Sequence, residues 1–114
     1  MAMEPELLKN LTKKPATLVY PFEKFPPVEG LRAKHMWYSD RCIGCGLCAR
    51  VCPAFAIELD GRGKDVKGIT FYLGRRVFCA QCEEVCPKKG IKLTQEYELA
   101  CYTQEDTILK FTKE

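Results

Sequence analysis

No stretch of this chain approaches the roughly 18 consecutive apolar residues that a membrane-spanning helix needs, and its longest apolar runs are only a few residues. Charge of one sign is also missing. Lys and Arg number 18 against 15 Asp and Glu, a formal net charge of +3. That balance excludes both an acidic tail and a polybasic arm. The basic residues are scattered rather than gathered in a stripe, which argues against nucleic acid as a partner. There is one histidine, no glycine-rich nucleotide loop, no nucleophile with a paired base and no open catalytic metal set. The chain alone is therefore not expected to be an enzyme. Met1 to Asn10 is acidic in balance and lacks the apolar core of a secretory signal, so a cytoplasmic location is expected. Thiols stay reduced there. At 114 residues the chain is one domain's worth.

What it has is cysteine, eight in all, seven of them in two short clusters. The first reads Cys42-Ile-Gly-Cys45-Gly-Leu-Cys48-Ala-Arg-Val-Cys52-Pro53, or C-x2-C-x2-C-x3-C-P. The second reads Cys79-Ala-Gln-Cys82-Glu-Glu-Val-Cys86-Pro87, or C-x2-C-x3-C-P, and Cys101 stands alone. Three thiolates two residues apart on a curling loop can each reach a different iron of one cluster. The same curl turns peptide N–H groups towards the cluster's negative charge. Gly44 and Gly46 sit where a Cβ would crowd that approach. The three-residue gap begins a helical turn that carries Cys52 away from its own loop, and Pro53 redirects the chain. A disulfide framework would need an oxidising compartment. A zinc site usually takes two C-x2-C pairs set well apart. Neither suits a third cysteine after two residues, a fourth after three and a following proline.

The two clusters repeat at an offset of 34 residues. Cys45, Cys48, Cys52 and Pro53 fall on Cys79, Cys82, Cys86 and Pro87, and Val51, Ile57 and Leu59 fall on Val85, Ile91 and Leu93. Neither half is large enough to bury a core alone, but together they can sandwich two clusters. In this register Cys42 falls on Arg76, so the second motif lacks its first cysteine.

From about Lys13 to Ala100 the chain resembles an eight-iron bacterial-type ferredoxin. More narrowly, it resembles the two-cluster ferredoxin subunit in the hydrophilic arm of complex I and of related membrane-bound hydrogenase, formate hydrogenlyase and sulfur-reducing respiratory complexes. The resemblance rests on Tyr20-Pro21-Phe22 in the lead-in, Asp40-Arg41-Cys42-Ile43-Gly44-Cys45, and Leu73-Gly74-Arg75 before Phe78-Cys79. Glu83-Glu84-Val85-Cys86-Pro87 and Glu98-Leu99-Ala100 complete it. It implies an α+β fold, a ferredoxin-like pseudo-twofold sandwich of short antiparallel hairpins and short helices around two iron–sulfur clusters, with N- and C-terminal extensions. It also implies crossed ligation. Cys42, Cys45, Cys48 and Cys86 would hold one cluster, and Cys52, Cys79 and Cys82 the other. Arginine has no lone pair for iron, so the fourth position at Arg76 is open to several outcomes. Cys101 folds back to complete two [4Fe-4S] clusters, the site settles as [3Fe-4S], or water or a carboxylate such as Asp65 caps the iron. Loss of the cluster is the last outcome. The rival reading of Cys101 is a small buried hydrophobe.

By the same resemblance the chain relays single electrons as a subunit of a membrane-bound oxidoreductase complex. It would lie peripherally on the inner face of the cell membrane, with other subunits as partners and a ferredoxin or flavin module as donor. A free soluble ferredoxin and, in another class, a zinc-binding structural adaptor are the alternatives. Three stretches are expected: an N-terminal helix and Pro/aromatic arm over residues 1–30, a two-cluster domain over 31–96 and a C-terminal extension over 97–114. Glu4 to Lys14 suits a helix with Leu7, Leu8 and Leu11 on one face, for a subunit interface, its own domain or a membrane surface. The arm from Pro15 to Gly30, rich in Tyr20, Phe22 and Phe25, is expected on a partner or folded back on its own domain. His35 to Tyr38 reads as a strand that pairs with Ile91 to Thr94, and Ala56 to Leu59 as a hairpin with Ile69 to Leu73. The helices between should be about two turns. Phe55, Phe71 and Phe78 are expected to shield the clusters or simply to pack. His35 reads as a packed or exposed residue rather than a ligand. Arg75 and Arg76 either stabilise a negative cluster, attract an acidic partner or are solvated.

Overall fold

Short β-branched and aromatic stretches flank each cysteine motif, and these become the strands. The computed structural model describes residues 3–113. Along the chain come α1 (Glu4–Leu11), β1 (His35–Trp37), α2 (Leu47–Val51), β2 (Ile57–Asp60) and β3 (Gly68–Tyr72). Then follow α3 (Gln81–Glu84), β4 (Ile91–Leu93) and β5 (Ile108–Thr112), with 3₁₀ turns at Gly63–Asp65, Leu73–Arg75 and Glu105–Thr107. β1 pairs antiparallel with β4, setting His35 opposite Leu93 and Trp37 opposite Ile91. β2 pairs antiparallel with β3, setting Ile57 opposite Phe71 and Leu59 opposite Ile69. Both pairings are those expected from the alternation. The α+β sandwich is the fold the chain adopts.

The repeat is visible in the backbone itself. Three pairs of left-handed residues stand 34 apart: Gly44 and Phe78, Gly46 and Ala80, Phe55 and Lys89. In two of these pairs the second half keeps the left-handed conformation although its residue has a Cβ, and a non-glycine residue there carries a real cost. The loop geometry is therefore imposed by the surroundings and not by local preference. α2 and α3 have 5 and 4 residues, shorter than two turns. Each ends just ahead of a Cys-Pro step, where the residue before proline is pushed to extended backbone; Cys52 has φ −66° and ψ 111°.

One strand falls where only a C-terminal extension is expected. β5 returns to the free edge of β3, with Phe111 opposite Ile69 and Leu109 opposite Phe71. Its Ile-Leu-Lys-Phe-Thr sequence is strand-like, and it satisfies edge N–H and C=O groups that β3 would otherwise leave unpaired. Gly68 permits the approach, since a Cβ there would lie 2.5 Å from the Phe111 carbonyl oxygen. The core is formed by Phe71, Ile69, Ala56, Ile57, Ile91, Trp37 and Val66 together with Cys48, Cys52 and Cys82.

The N-terminal part stays outside this core. Every described residue from Met3 to Gly30 is exposed. α1 has Pro5 near its start, Glu4 and Glu6 in its first turn and Lys9 in its last, which suits the helix dipole. It stops at Leu11 rather than at Lys14, because the Thr12 hydroxyl donates to the Lys9 carbonyl at 3.0 Å and closes the last turn. The following arm is tied down at Glu98, which accepts from the Tyr20 hydroxyl at 2.9 Å and pairs with Lys24 at 2.6 Å. The radius of gyration is 20.4 Å, against about 13 Å for a compact 100-residue domain. The molecule is elongated, 70 × 28 × 25 Å.

Phe71 is fully buried and stacks obliquely on His35 and edge-on to Phe111. Phe71→Ala is expected to lower stability by about 3–5 kcal/mol, read as a shift in the denaturant midpoint with an unchanged slope.

Candidate metal centres

The first motif curls through left-handed Gly44 and Gly46 before α2 begins. Its loop is braced from outside, where the Gly63 N–H donates to the Gly44 carbonyl at 3.0 Å. A cavity opens inside the curl. Cys42, Cys45 and Cys48 line it from the first half and Cys86 from the second, over Leu59 and Ile91. These are the four cysteines of the expected crossed set. Among the described residues no three His, Cys, Asp or Glu side chains lie close enough to hold one metal ion. The cysteines ring a space instead.

Two backbone donors reach sulfur at equivalent points of the repeat. The Ala56 N–H donates to Cys52 Sγ at 3.4 Å, and the Gly90 N–H donates to Cys86 Sγ at 3.1 Å. Hydrogen bonds of this kind stabilise a thiolate. Burial works the other way. It pushes the Cys48 thiol up to about 11 and raises that of Cys82, with Arg76 partly offsetting the rise at Cys82. Buried sulfur here is held as thiolate only when a cation takes the proton's place.

The second motif is built differently. Cys52 and Cys82 are buried in the core and Cys79 is half-buried. Arg32 donates to the Cys79 carbonyl at 3.0 Å. Arg76, where the repeat calls for cysteine, lays its guanidinium over the Phe71 ring at 5.0 Å and donates from Nη2 to Cys82 Sγ at 3.4 Å. Its Nη1 is buried without a partner. A solvated arginine pair is therefore not what the structure holds: Arg75 stacks outward over Tyr72, and Arg76 turns inward.

Cys101 is exposed, and lines none of the cavities at the motif cysteines. Asp65 is exposed too, in the 3₁₀ turn braced against the first motif and not the second. Of the three phenylalanines, Phe71 is fully buried and Phe78 half-buried, but Phe55 is 76% exposed. Phe55 sits at φ +48° in the turn after Cys-Pro, which points its ring to solvent, so it shields nothing. His35 is packed, as expected, but both ring nitrogens and the nearby Trp37 Nε1 are buried without partners. Nothing in its sequence context beyond its being the single histidine marks it.

Gly44 has both a left-handed φ of +65° and no room, because an added Cβ would meet Val66 Cγ2 and the Gly63 backbone. Gly46 has the left-handed φ but open space. Gly46→Ala is expected to cost about 1 kcal/mol, as the Ala80 equivalent shows is tolerable. Gly44→Ala adds overpacking, about 2–4 kcal/mol in all. Chemical denaturation of the two variants side by side measures the difference.

Residues 41–96 match the family model described as a 4Fe-4S dicluster domain. The chain is 37% identical over 99 residues to NAD(P)H-quinone oxidoreductase subunit I of Prochlorococcus marinus (strain MIT 9303), covering 82% of this chain and 45% of that protein. It is 38% identical over 105 residues to the chloroplastic subunit I of Citrus sinensis, covering 87% of this chain and 63% of that one. The chain thus spans about half the length of the curated relatives it matches. A chain in the solved structure of the membrane-bound sulfane sulfur reductase, an archaeal respiratory membrane complex, superposes with a TM-score of 0.72 at 32% identity. That match covers 93% of this chain and 59% of the other. With its paired cysteine motifs, its 34-residue backbone repeat and these similarities, the chain belongs to the family of two-cluster, 4Fe-4S dicluster ferredoxins.

Proposed function

We propose that this chain is the iron–sulfur electron-transfer subunit of a membrane-associated oxidoreductase complex, relaying single electrons between two clusters. The observation that carries the reading is the cavity at which Cys86 of the second half joins Cys42, Cys45 and Cys48 of the first. The donor chemistry suits the group: four thiols around one space, peptide N–H groups aimed at sulfur, and cysteines buried in an apolar core. Cys42, Cys45, Cys48 and Cys86 would hold one [4Fe-4S] cluster, and Cys52, Cys79 and Cys82 would bind the other. Clusters so held supply one-electron carriers. The chain's own residues set the conditions. Ala56 and Gly90 donate to ligand sulfur, Phe71, Ile57 and Ile91 exclude water, and α2 and α3 fix the two loops against each other. On this reading the chain serves as a relay.

Membership of a complex is supported by the relatives' names and by the exposed N-terminal part. Leu7, Leu8 and Leu11 on α1, with Phe22 and Phe25 on the arm, are 61–87% exposed. Apolar surface on that scale marks a contact site. No helix among the described residues is long and apolar enough to cross a membrane. On this reading the chain is held at the inner face of the membrane by partner subunits, with residues 31–96 carrying the clusters and residues 3–30 the contact.

Crossed ligation has a direct test. Cys42→Ser and Cys86→Ser should perturb the same EPR signal, and Cys52→Ser and Cys79→Ser the other, each variant losing up to about four of about eight irons per chain. Pairing by motif instead, Cys79 with Cys86, would overturn the assignment. Exposed Cys101 is outside both sets, so Cys101→Ser should leave both signals and the iron count unchanged. For the partner contact, replacing Leu7, Leu8 and Leu11 together by Ser should preserve both EPR signals while abolishing co-purification with other subunits from the native host. Retention of those subunits would remove α1 from the contact.

A further inference from the structure

Arg76 leaves the second cluster one ligand short, and the chain holds a candidate the repeat does not supply. His35 lies in β1, seven residues before the first motif, with 0% of its surface exposed. Its ring lies 5.2 Å from that of Phe71 and 5.9 Å from that of Phe78, the residue next to Cys79. Arg76 rests on the same Phe71 ring and donates to Cys82. The imidazole is thus packed among residues that surround the defective corner of the second motif. Both Nδ1 and Nε2 lack a hydrogen-bond partner. Buried polar atoms are almost always satisfied, so a fully enclosed ring with neither nitrogen paired points to a group that those atoms face.

We propose that His35 supplies the fourth protein ligand of the second cluster, one ring nitrogen taking the coordination position that Arg76 cannot fill. The proposal rests on the two-cluster reading above. Histidine can replace cysteine on iron in such clusters, whereas arginine has no lone pair to offer. The unprotonated nitrogen gives its lone pair to iron, the proton stays on the other nitrogen, and no electron changes hands. Burial and the neighbouring Arg76 charge both hold the ring neutral, which is the form that ligates. Exchanging a thiolate for a neutral imidazole makes the second cluster one charge less negative than the first. The Arg76 guanidinium on Cys82 acts in the same direction. The second cluster would therefore be the higher in potential, and the two would be unequal electron sites.

The single histidine makes the test selective. An untagged full-length chain is produced anaerobically with natural and with ¹⁵N-labelled histidine, and pulsed EPR is recorded on the reduced protein with iron counted. The expected result is a nitrogen coupling of directly bonded size on one of the two cluster signals, shifting with the label. About eight irons with no histidine coupling, or with only the weak coupling of a hydrogen-bonded ring, would overturn the proposal and leave the two-cluster reading standing. A chain that takes up no iron would overturn both. His35→Gln should abolish or convert the second signal while the first persists, and adding Arg76→Cys should restore a second signal free of nitrogen coupling. Two unchanged signals in His35→Gln would overturn the proposal. Should that variant fail to fold, the isotope experiment on the unaltered chain still decides.

Discussion

Burying a thiolate is costly unless a cation sits beside it, and that constraint organises this molecule. Cys48, Cys52 and Cys82 are set among Phe71, Ile57, Ile91 and Trp37 in one core. Desolvation drives the Cys48 thiol up to about 11. So small a core, split between two sheets of two and three strands, gains from any group that ties its halves together. Metal binding supplies that tie in small metal-binding domains, where binding free energy is also folding free energy. Cys86, at the wall of the first motif's cavity, brings the two halves together there as well as through the β1–β4 pairing.

The same constraint accounts for the strain in the loops. Phe78 and Ala80 hold left-handed backbone where the first half uses Gly44 and Gly46. Local preference opposes that geometry, yet the second half repeats it, so the surrounding structure holds it in place. The two halves are nevertheless not equal. One cavity has four cysteines at its wall, whereas the other motif has an inward-turned arginine on its sulfur and an enclosed imidazole nearby. A pseudo-symmetric scaffold with unequal corners is a direct way to make two redox sites of different character on one fold.

Outside the core the logic changes. The N-terminal arm is anchored to the domain through Glu98, by contacts that in water contribute little to stability. Leucines and phenylalanines remain uncovered along it. The elongated shape comes from a first quarter that lies outside the core with these apolar side chains exposed.

Cysteine spacing, the 34-residue repeat and strand alternation were enough to read the two halves and both strand pairings, because motif spacing and side-chain alternation are written along the chain, whereas the crossed cysteine set is implied by the family resemblance alone. The defect at Arg76 was equally legible, since it is a substitution in a repeat. The shortness of α2 and α3 follows from the Cys-Pro steps that end them, and the counting of helical residues alone overshoots it. Tertiary structure decided the rest. That β5 closes the sheet depends on the free edge of β3 and on the space at Gly68. That Phe55 faces solvent while Phe71 is enclosed depends on a backbone turn, not on residue type. That Arg76 turns onto Cys82, and that His35 is shut in beside it with both nitrogens unpaired, arises from contacts between residues up to 43 positions apart. Spacing along a chain can specify a ligand set, but only packing across the two halves determines which side chains surround it.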